Sequence, residues 1–323
     1  MEFRTLPNTE LKISRISFGT MTFGGQTDEA VAGRMVDLCL ESGINCFDTA
    51  NVYNQGRAEA MAGKLLRGRR DKIILATKVR GKMGDGPDDA GLSRAAIHKA
   101  IDNSLKRLGT DYVDIYYLHQ PDYDVPIEET LAAMHELVAA GKVRYPAVSN
   151  YAGWQVAEIH CISQKNGFKA PHISQPMYNL LARAIEEEYL PFAKKYGVAI
   201  VPYNPLAGGL LTGKHLRGNQ PLAGSRFDGN PMYLNRYWHE DYFAAVEELQ
   251  EVAREAGKTL VELAFAWLLS QDQVDSIILG ASRVEQLEQN LKACEGSRLE
   301  APVLARCDEI WKRLRGITPK YSR

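Results

Sequence analysis

The chain has 323 residues, with 39 lysines and arginines against 40 aspartates and glutamates, so its formal net charge is −1. Hydrophobic residues make up 45% and charged residues 24%, which is typical of a globular protein and allows either two modest domains or one large barrel. The balanced charge argues against a nucleic-acid partner, because there is no basic excess to neutralise phosphates. No apolar stretch is long enough to span a bilayer, so we expect no membrane association.

The N-terminal residues contain no apolar signal segment, and the five cysteines are widely spaced without a Cys-x-x-Cys pair. The sequence therefore supports neither a disulfide framework nor a zinc site. We expect a cytoplasmic protein with reduced thiols and no metal.

Short runs rich in β-branched and aromatic residues alternate along the chain with segments of helical periodicity. The predicted strands are Ile13–Thr20, Asn45–Ala50, Ile73–Val79, Asp114–His119, Val143–Asn150, Ile173–Asn179, Ala199–Pro205 and Ser276–Gly280. The predicted helices are Asp28–Ser42, Arg57–Arg67, Ser93–Leu108, Ile127–Ala140, Gly153–Asn166, Glu186–Tyr196, a two-part stretch Asp241–Ser270, and Val284–Ala293.

Eight strand–helix units without a break in composition predict an α/β protein, a single (β/α)8 TIM barrel domain over residues 1–323. A doubly wound sheet is the competing architecture. It normally has a Gly-x-Gly-x-x-Gly turn after its first strand, whereas the first strand here ends Gly19-Thr-Met-Thr-Phe-Gly-Gly. The barrel is therefore favoured, with its functional residues at the C-terminal ends of the strands.

Four chemically distinct side chains stand at or just beyond adjacent strand ends: Asp48, Tyr53, Lys78 and His119. Each alone has a structural explanation, such as a cap or a solvated strand end. Together they can transfer a proton, because an ammonium lowers the proton affinity of a phenol and a carboxylate keeps that ammonium charged. A neutral imidazole can hydrogen-bond a substrate oxygen. We predict a proton-transfer site that requires a hydride donor.

The motifs around these residues resemble the aldo-keto reductase family over essentially the whole chain. The matching segments are Arg4–Ser14, Phe47–Glu59, Leu75–Lys78, Asp114–Asp122, Val148–Tyr151, Tyr203–Lys214 and Ile278–Asn290. The resemblance implies that Tyr53 is the general acid in carbonyl reduction, that Lys78 and Asp48 tune its proton affinity, and that His119 orients the carbonyl. It also implies no metal. Asn54 departs from the family pattern, since a glycine usually follows the tyrosine, and Ala147 replaces a common glycine.

The resemblance further implies a nicotinamide dinucleotide lying extended across the barrel mouth. The implied contacts at the nicotinamide end are Gly19, Thr20, Met21, Asp48, Ser149, Asn150, Gln175 and the stacking ring of Tyr203. Those around the pyrophosphate are Asn204, Pro205, Leu206, Gly208, Leu210 and Lys214, and those at the adenosine end are Gly280, Ser282, Arg283, Gln286, Gln289 and Asn290. Arg226 is a further implied contact. The choice between NADPH and NADH depends on Arg283 and also on Arg226 and Lys214, because a guanidinium binds phosphate bidentately and an ammonium adds positive charge, and we predict NADPH in preference to NADH.

The segment Lys214–Glu240 lacks helical periodicity, and we expect a long loop that folds over the cofactor and contributes substrate contacts. We expect a small-molecule carbonyl substrate, an apolar or aromatic aldehyde or ketone, in a pocket lined by Met21, Tyr123, Tyr145 and this loop. The sequence defines neither the physiological compound nor the oligomeric state.

Two other functions are compatible with the residues. The resemblance extends to potassium channel β subunits, so the chain could be a regulatory protein that holds the cofactor with little turnover. A hydrolase using the carboxylate pair Asp48 and Glu59 would also suit a barrel, although Glu59 has an ordinary explanation as a helix cap or salt-bridge partner.

Overall fold

The computed structural model describes residues 1–296 and 298–317, so the C-terminal limit of the predicted domain lies outside the described residues. The chain divides into two compact units. The first comprises Met1–Pro176, Ile185–Tyr203 and Gln273–Leu287, and the second comprises Met177–Ala184, Asn204–Asp272 and Glu288–Arg323.

The first unit contains a short hairpin, β1 (Phe3–Thr5) with β2 (Lys12–Ser14), and an eight-stranded parallel sheet. The strands of this sheet are β3 (Ile16–Gly19), β4 (Cys46–Asp48), β5 (Ile74–Val79), β6 (Val113–Leu118), β7 (Val143–Ser149), β8 (Ile173–Gln175), β9 (Ala199–Ile200) and β10 (Ile277–Gly280). From β3 to β9 each strand pairs with the next in the chain, and β10 pairs with β3.

The two ends of this strand order are joined by backbone hydrogen bonds. The N–H of Asp275 donates to the Ile200 carbonyl (2.8 Å), and the N–H of Ile278 donates to the Pro202 carbonyl (3.0 Å). The sheet therefore closes on itself, which confirms the predicted TIM barrel.

Helices follow the strands as predicted. Those of the first unit are α1 (Glu29–Glu41), α2 (Arg57–Leu65), α3 (Arg94–Leu108), α4 (Ile127–Ala139), α5 (Gly153–Asn166) and α6 (Tyr189–Tyr196), and α10 (Val284–Ala293) begins there. The Ser93 hydroxyl accepts a hydrogen bond from the Ala96 N–H at the start of α3, and Gly109 ends this helix with φ 64°. Serine is a preferred N-cap, and glycine adopts the left-handed conformation at a helix end at little cost.

The predicted sixth and seventh strands are longer than β8 and β9. Proline explains the difference, because it lacks the N–H that a parallel ladder needs. Pro176 directly follows β8, and Pro202 and Pro205 follow β9.

Alternate residues of the strands fill the barrel interior. Ile74 and Ala76 belong to the buried core cluster, so Lys78, two residues further along β5, projects into the same interior. Tyr145 also belongs to this cluster, and its hydroxyl accepts a hydrogen bond from the Glu10 N–H (3.0 Å). Because Tyr145 lies near the N-terminal end of β7 and bonds to the chain ahead of the barrel, the prediction that it lines the substrate pocket is wrong.

The second unit is helical, with α7 (Pro231–Tyr237), α8 (Glu240–Glu255), α9 (Leu260–Leu269), α11 (Ala301–Arg315) and a 3-10 turn over Ala207–Thr212. Helices α8 and α9 confirm the predicted two-part stretch. Helix α7 corrects the prediction that Lys214–Glu240 is a loop throughout. Asn230 caps it by accepting a hydrogen bond from the Tyr233 N–H (3.4 Å), and Pro231 suits the first turn. Among the described residues, no helix is both long and apolar enough to cross a bilayer.

Candidate active site

A buried ion pair lies at the C-terminal ends of β4 and β5. The Lys78 ammonium donates to a carboxylate oxygen of Asp48 and to the Thr49 carbonyl (2.7 Å), and the Lys78 side chain is fully buried. Burial by itself would lower the pKa of Lys78, but the Asp48 charge and then Tyr53 outweigh it, so the pKa is raised. Lys78 is therefore an ammonium at neutral pH.

Tyr53 lies against this ammonium. It begins a 3-10 turn, Tyr53–Gly56, shortly after β4, and its side chain is hydrogen-bonded to Lys78. The Lys78 nitrogen is 5.1 Å from the centroid of the Tyr53 ring. The His119 ring also lies near the Tyr53 ring, with 6.0 Å between ring centroids and an edge-on angle of 79°. The structure thus brings all four predicted catalytic side chains to one place.

His119 is an uncharged imidazole. Burial, followed by the positive charges of Lys78 and Arg80, lowers the pKa of His119 to about 3. A neutral imidazole carries one N–H donor and one acceptor nitrogen. His119 can therefore donate a hydrogen bond to an oxygen atom at neutral pH, but it carries no additional proton to give up.

Asn54 has a positioning role that the sequence analysis did not predict. Its backbone is left-handed, with φ 49° and ψ 39°, a region that asparagine tolerates better than most residues with a β-carbon. Its amide nitrogen donates to the carbonyls of Met21 (2.9 Å) and Phe23 (2.7 Å). The loop that carries Tyr53 is thereby tied to the loop after β3. The sequence feature that could have indicated this role is the asparagine itself, which stands at a position where glycine is usual.

The residues predicted to contact the nicotinamide form a continuous chain of hydrogen bonds. The Gln175 amide donates to the second carboxylate oxygen of Asp48 (2.9 Å), and the Ser149 hydroxyl donates to the Gln175 carbonyl (2.8 Å). Asn150 donates to the Ser149 hydroxyl (3.1 Å) and accepts from the Tyr203 hydroxyl (2.7 Å). These contacts hold a row of amide and hydroxyl groups beside the ion pair.

The ends of β3 and β10 lie next to the end of β4. Gly19 is in register with both Asp48 and Gly280, and the Thr20 N–H donates to the Asp48 carbonyl (2.8 Å). Among the described residues, no atom outside Gly280 and its chain neighbours lies within 4 Å of the position that a Cβ on Gly280 would take. Met21, the next predicted contact, is partly exposed.

The predicted adenosine contacts of the first unit lie at the start of α10. The Gln286 amide oxygen accepts a hydrogen bond from the Ser282 N–H (3.0 Å), and Arg283 precedes the helix. Gln286 therefore caps this helix start. Gln289 and Asn290 follow on the part of α10 that belongs to the second unit.

The second unit carries its predicted contacts on and after a glycine turn. Asn204, Ala207, Gly208 and Gly209 all have positive φ. A Cβ on Gly208 would lie 2.8 Å from a ring carbon of Tyr233, and one on Gly209 would fill the space beside the Lys214 ammonium, at 3.8 Å. The Arg226 guanidinium lies 5.6 Å from the centroid of the same tyrosine ring. The turn, which also includes Pro205, Leu206 and Leu210, is thus grouped with two cations.

The carboxylate pair of the hydrolase hypothesis does not form. Glu59 accepts hydrogen bonds from the Thr77 hydroxyl (2.6 Å) and from Arg107 (2.7 Å). Thr77 precedes Lys78 in β5, so their side chains point to opposite faces of the sheet. Glu59 is therefore committed to the helix-facing side, away from the ion pair.

Comparison with known proteins identifies the family. The sequence profile of the Aldo/keto reductase family matches residues 15–312. A protein of Oryza sativa subsp. japonica described as "Probable voltage-gated potassium channel subunit beta" is 38% identical over 94% of both chains. An uncharacterized oxidoreductase of Bacillus subtilis (strain 168) is 38% identical over 99% of both chains, and aflatoxin B1 aldehyde reductase member 2 of Mus musculus is 37% identical over 94% of this chain and 86% of its own. The chain belongs to the aldo-keto reductase family of oxidoreductases.

Proposed function

We propose that this protein reduces aldehydes and ketones to alcohols with NADPH, and that Tyr53 is the proton donor. The observation that carries the proposal is the buried Lys78–Asp48 ion pair against the Tyr53 phenol, beside a neutral His119. A phenol titrates near pH 10 in water, so it needs a neighbouring cation to give up its proton readily at neutral pH. Lys78 is such a cation.

Each side chain has one role in the proposed reaction. NADPH, when bound, supplies the hydride. Tyr53 gives its proton to the carbonyl oxygen, and Lys78 stabilises the phenolate that remains. Asp48 keeps Lys78 charged and in place, while His119 orients the carbonyl by a hydrogen bond. In alcohol oxidation Tyr53 would act as the base.

The donor groups described above are of the kinds that would bind a phosphorylated nicotinamide dinucleotide. Amide and hydroxyl groups of Ser149, Asn150 and Gln175 suit a carboxamide, and the phenol ring of Tyr203 suits stacking on a planar ring. The glycine turn leaves space beside Lys214 for a phosphate, and Arg226 adds a guanidinium. Arg283 at the start of α10 supports the same assignment, because a helix N-terminus favours an anion.

The preference for NADPH is tested by the kcat/KM values with NADPH and NADH and by fluorescence titration of both cofactors. We expect Arg226→Met to weaken NADPH binding about tenfold or more and to leave NADH binding nearly unchanged, because a charge-assisted hydrogen bond contributes roughly 1.5–3 kcal/mol. Arg217→Met is the matched control, since Arg217 lies in the same segment but pairs with Glu240 (2.6 Å). Equal kcat/KM with the two cofactors in the wild type would contradict the preference.

A regulatory protein that holds the cofactor with little turnover is the second candidate. Its support is the similarity to a potassium channel β subunit over 94% of both chains. Stopped-flow measurement of the oxidation of bound NADPH by a panel of aldehydes separates the two functions. Oxidation no faster than the control without substrate would favour the regulator. The cytoplasmic location stays a prediction from composition.

A further inference from the structure

Glu59 is a buried carboxylate just beyond the turn that carries Tyr53. The turn, Tyr53–Gly56, leads directly into α2, and Glu59 lies in the first turn of that helix. Its side chain is completely removed from water. A carboxylate in such surroundings needs charged and hydrogen-bonding partners, because burying an unpaired charge is strongly unfavourable. Glu59 has two partners, and they belong to two different elements.

The carboxylate of Glu59 joins α2 to β5 and to α3. One of its oxygens accepts a hydrogen bond from the Thr77 hydroxyl (2.6 Å), and Thr77 directly precedes Lys78 in β5. The other oxygen accepts from Nε of Arg107 (2.7 Å), which lies in the last turn of α3. A single side chain therefore fixes the start of α2 to the strand residue beside the ion pair and to the neighbouring helix.

The stem of Arg107 also packs on the turn that carries Tyr53. Gly56, the last residue of this turn, has φ 82°. A Cβ on Gly56 would lie 2.8 Å from Cδ and 2.9 Å from Nε of Arg107, which is too close for a non-bonded contact. A side chain at Gly56 would therefore displace the guanidinium that binds Glu59. Gly56, Glu59 and Arg107 form one packed group.

The chain ahead of Tyr53 is attached to the same part of β5. The Asn51 N–H donates to the Lys78 carbonyl (3.3 Å). The segment that contains Tyr53 is thus held to β5 on both sides, at Lys78 before the turn and at Thr77 after it. The first attachment is made by the backbone, whereas the second is made by the side chain of Glu59.

The physical contribution of this ion pair is better explained by geometry than by stability. Apolar residues of similar volume often stabilise a protein interior as well or better, because two charges lose their hydration on burial. An ion pair differs in enforcing an orientation, since a guanidinium presents its N–H groups in a rigid fork. Orientation is important next to a reacting group, where a displacement of about 1 Å can slow a reaction roughly 100-fold.

We propose that Glu59 is a positioning residue for the proposed reaction. By fixing the start of α2 against β5 and α3, it holds the Tyr53 phenol against the Lys78 ammonium. The assignment rests on the proposed function, since the two groups that it aligns are the proposed proton donor and its neighbouring cation. Glu59 lies on the helix-facing side of β5 and acts through Tyr53.

The test compares Glu59→Gln, which removes the charge and keeps the size, with Asp114→Asn. Asp114 is the matched control because it is also a buried carboxylate that pairs with two arginines (2.7 and 3.0 Å). It accepts a hydrogen bond from the Leu75 N–H (2.9 Å), three residues before Lys78 and therefore roughly 10 Å away along β5. Both variants are examined by urea denaturation, by fluorescence titration of NADPH, and by kcat for aldehyde reduction as a function of pH.

We expect both variants to lose stability and only Glu59→Gln to change the reaction. Its kcat falls about tenfold or more, because the phenol is displaced from the ammonium. The alkaline limb of the kcat profile moves to higher pH, since a phenol without a close cation keeps its proton to a higher pH and reduction requires the protonated phenol. NADPH binding stays nearly unchanged. Asp114→Asn keeps the wild-type kcat and profile.

A wild-type kcat and pH profile in Glu59→Gln would overturn the assignment. Equal losses of kcat in Glu59→Gln and Asp114→Asn, without a shift of either profile, would overturn it as well. If Glu59→Gln does not fold, Thr77 carries the test, because Thr77→Val removes the hydroxyl that Glu59 binds and Thr77→Ser keeps it. We expect a lower kcat and a shifted profile in Thr77→Val alone, and identical behaviour of these two variants overturns the assignment.

A spectroscopic titration separates this assignment from the proposed function. The ultraviolet absorption of tyrosinate is followed against pH in the wild type and in Glu59→Gln. Subtracting the same titration of each protein with Tyr53→Phe added isolates the ionisation of Tyr53. Ionisation at higher pH in Glu59→Gln supports the assignment even if no aldehyde is reduced, in which case only the proposed function fails. Ionisation at the same pH in both proteins overturns the assignment whatever the activity.

Discussion

His119 shows how burial selects the chemistry of a side chain. An exposed imidazole would be partly protonated near neutral pH, but removal from water and the nearby cations hold the pKa of His119 at about 3. The proposed acid is therefore the Tyr53 phenol, whose neighbour Lys78 carries the positive charge. The same residue type would serve as an acid in a wetter position.

The depressed pKa of His119 makes the stability depend on pH. Below pH 6.5 His119 is protonated in the unfolded chain but stays neutral in the folded protein. Protonation therefore favours the unfolded state, and the free energy of unfolding decreases as the pH falls from 6.5 toward 3. We expect the free energy of unfolding to fall about 1.5–2 kcal/mol more between pH 6.5 and pH 5 in the wild type than in His119→Gln. Urea denaturation at each pH measures this. The exposed His239, replaced in His239→Gln, is the control, and equal losses in wild type and His119→Gln would contradict the expectation.

At the scale of elements, three asparagines shape the turns that carry the candidate site. Asn54, Asn150 and Asn204 have φ of 49°, 62° and 64°. Each also uses its side chain. Asn54 ties down the Tyr53 loop, Asn150 joins Tyr203, and the Asn204 amide oxygen accepts a hydrogen bond from the Gly208 N–H (2.7 Å). Glycine would provide the same backbone angles without these bonds.

At Asn54, the contribution of the left-handed backbone can be separated from that of the side-chain hydrogen bonds. Asn54→Gly keeps the left-handed backbone but loses the hydrogen bonds to Met21 and Phe23, and we expect it to lower the free energy of unfolding by about 1–2 kcal/mol. Asn54→Ala loses these bonds and adds backbone strain, so we expect it to lower the free energy of unfolding by about 2–3 kcal/mol. Urea denaturation of both variants, with aldehyde reduction as a second readout, checks this. Equal stability of the two variants with full activity would show that Asn54 does not position the loop.

At the scale of the molecule, the sequence predicted the barrel because its strands are separated by amphipathic helices, and this alternation is local. The barrel also predicted that Asp48, Lys78 and His119 lie close together, since the C-terminal ends of its parallel strands meet at one mouth. Helix α7 was missed because two turns are too short to show periodicity, and α11 (Ala301–Arg315) was not predicted. Tyr145 was misplaced because its depth in the barrel depends on register, which no local pattern reveals.

The proposed role of Tyr53 as the proton donor is tested by the variant Tyr53→Phe. The variant keeps the ring but removes the hydroxyl, so we expect aldehyde reduction to fall by about 10²–10⁴-fold while NADPH binding is nearly unchanged. Single-turnover oxidation of bound NADPH by an aldehyde, together with fluorescence titration of the cofactor, measures both quantities. A Tyr53→Phe variant that binds NADPH and retains most of the wild-type rate would contradict the account.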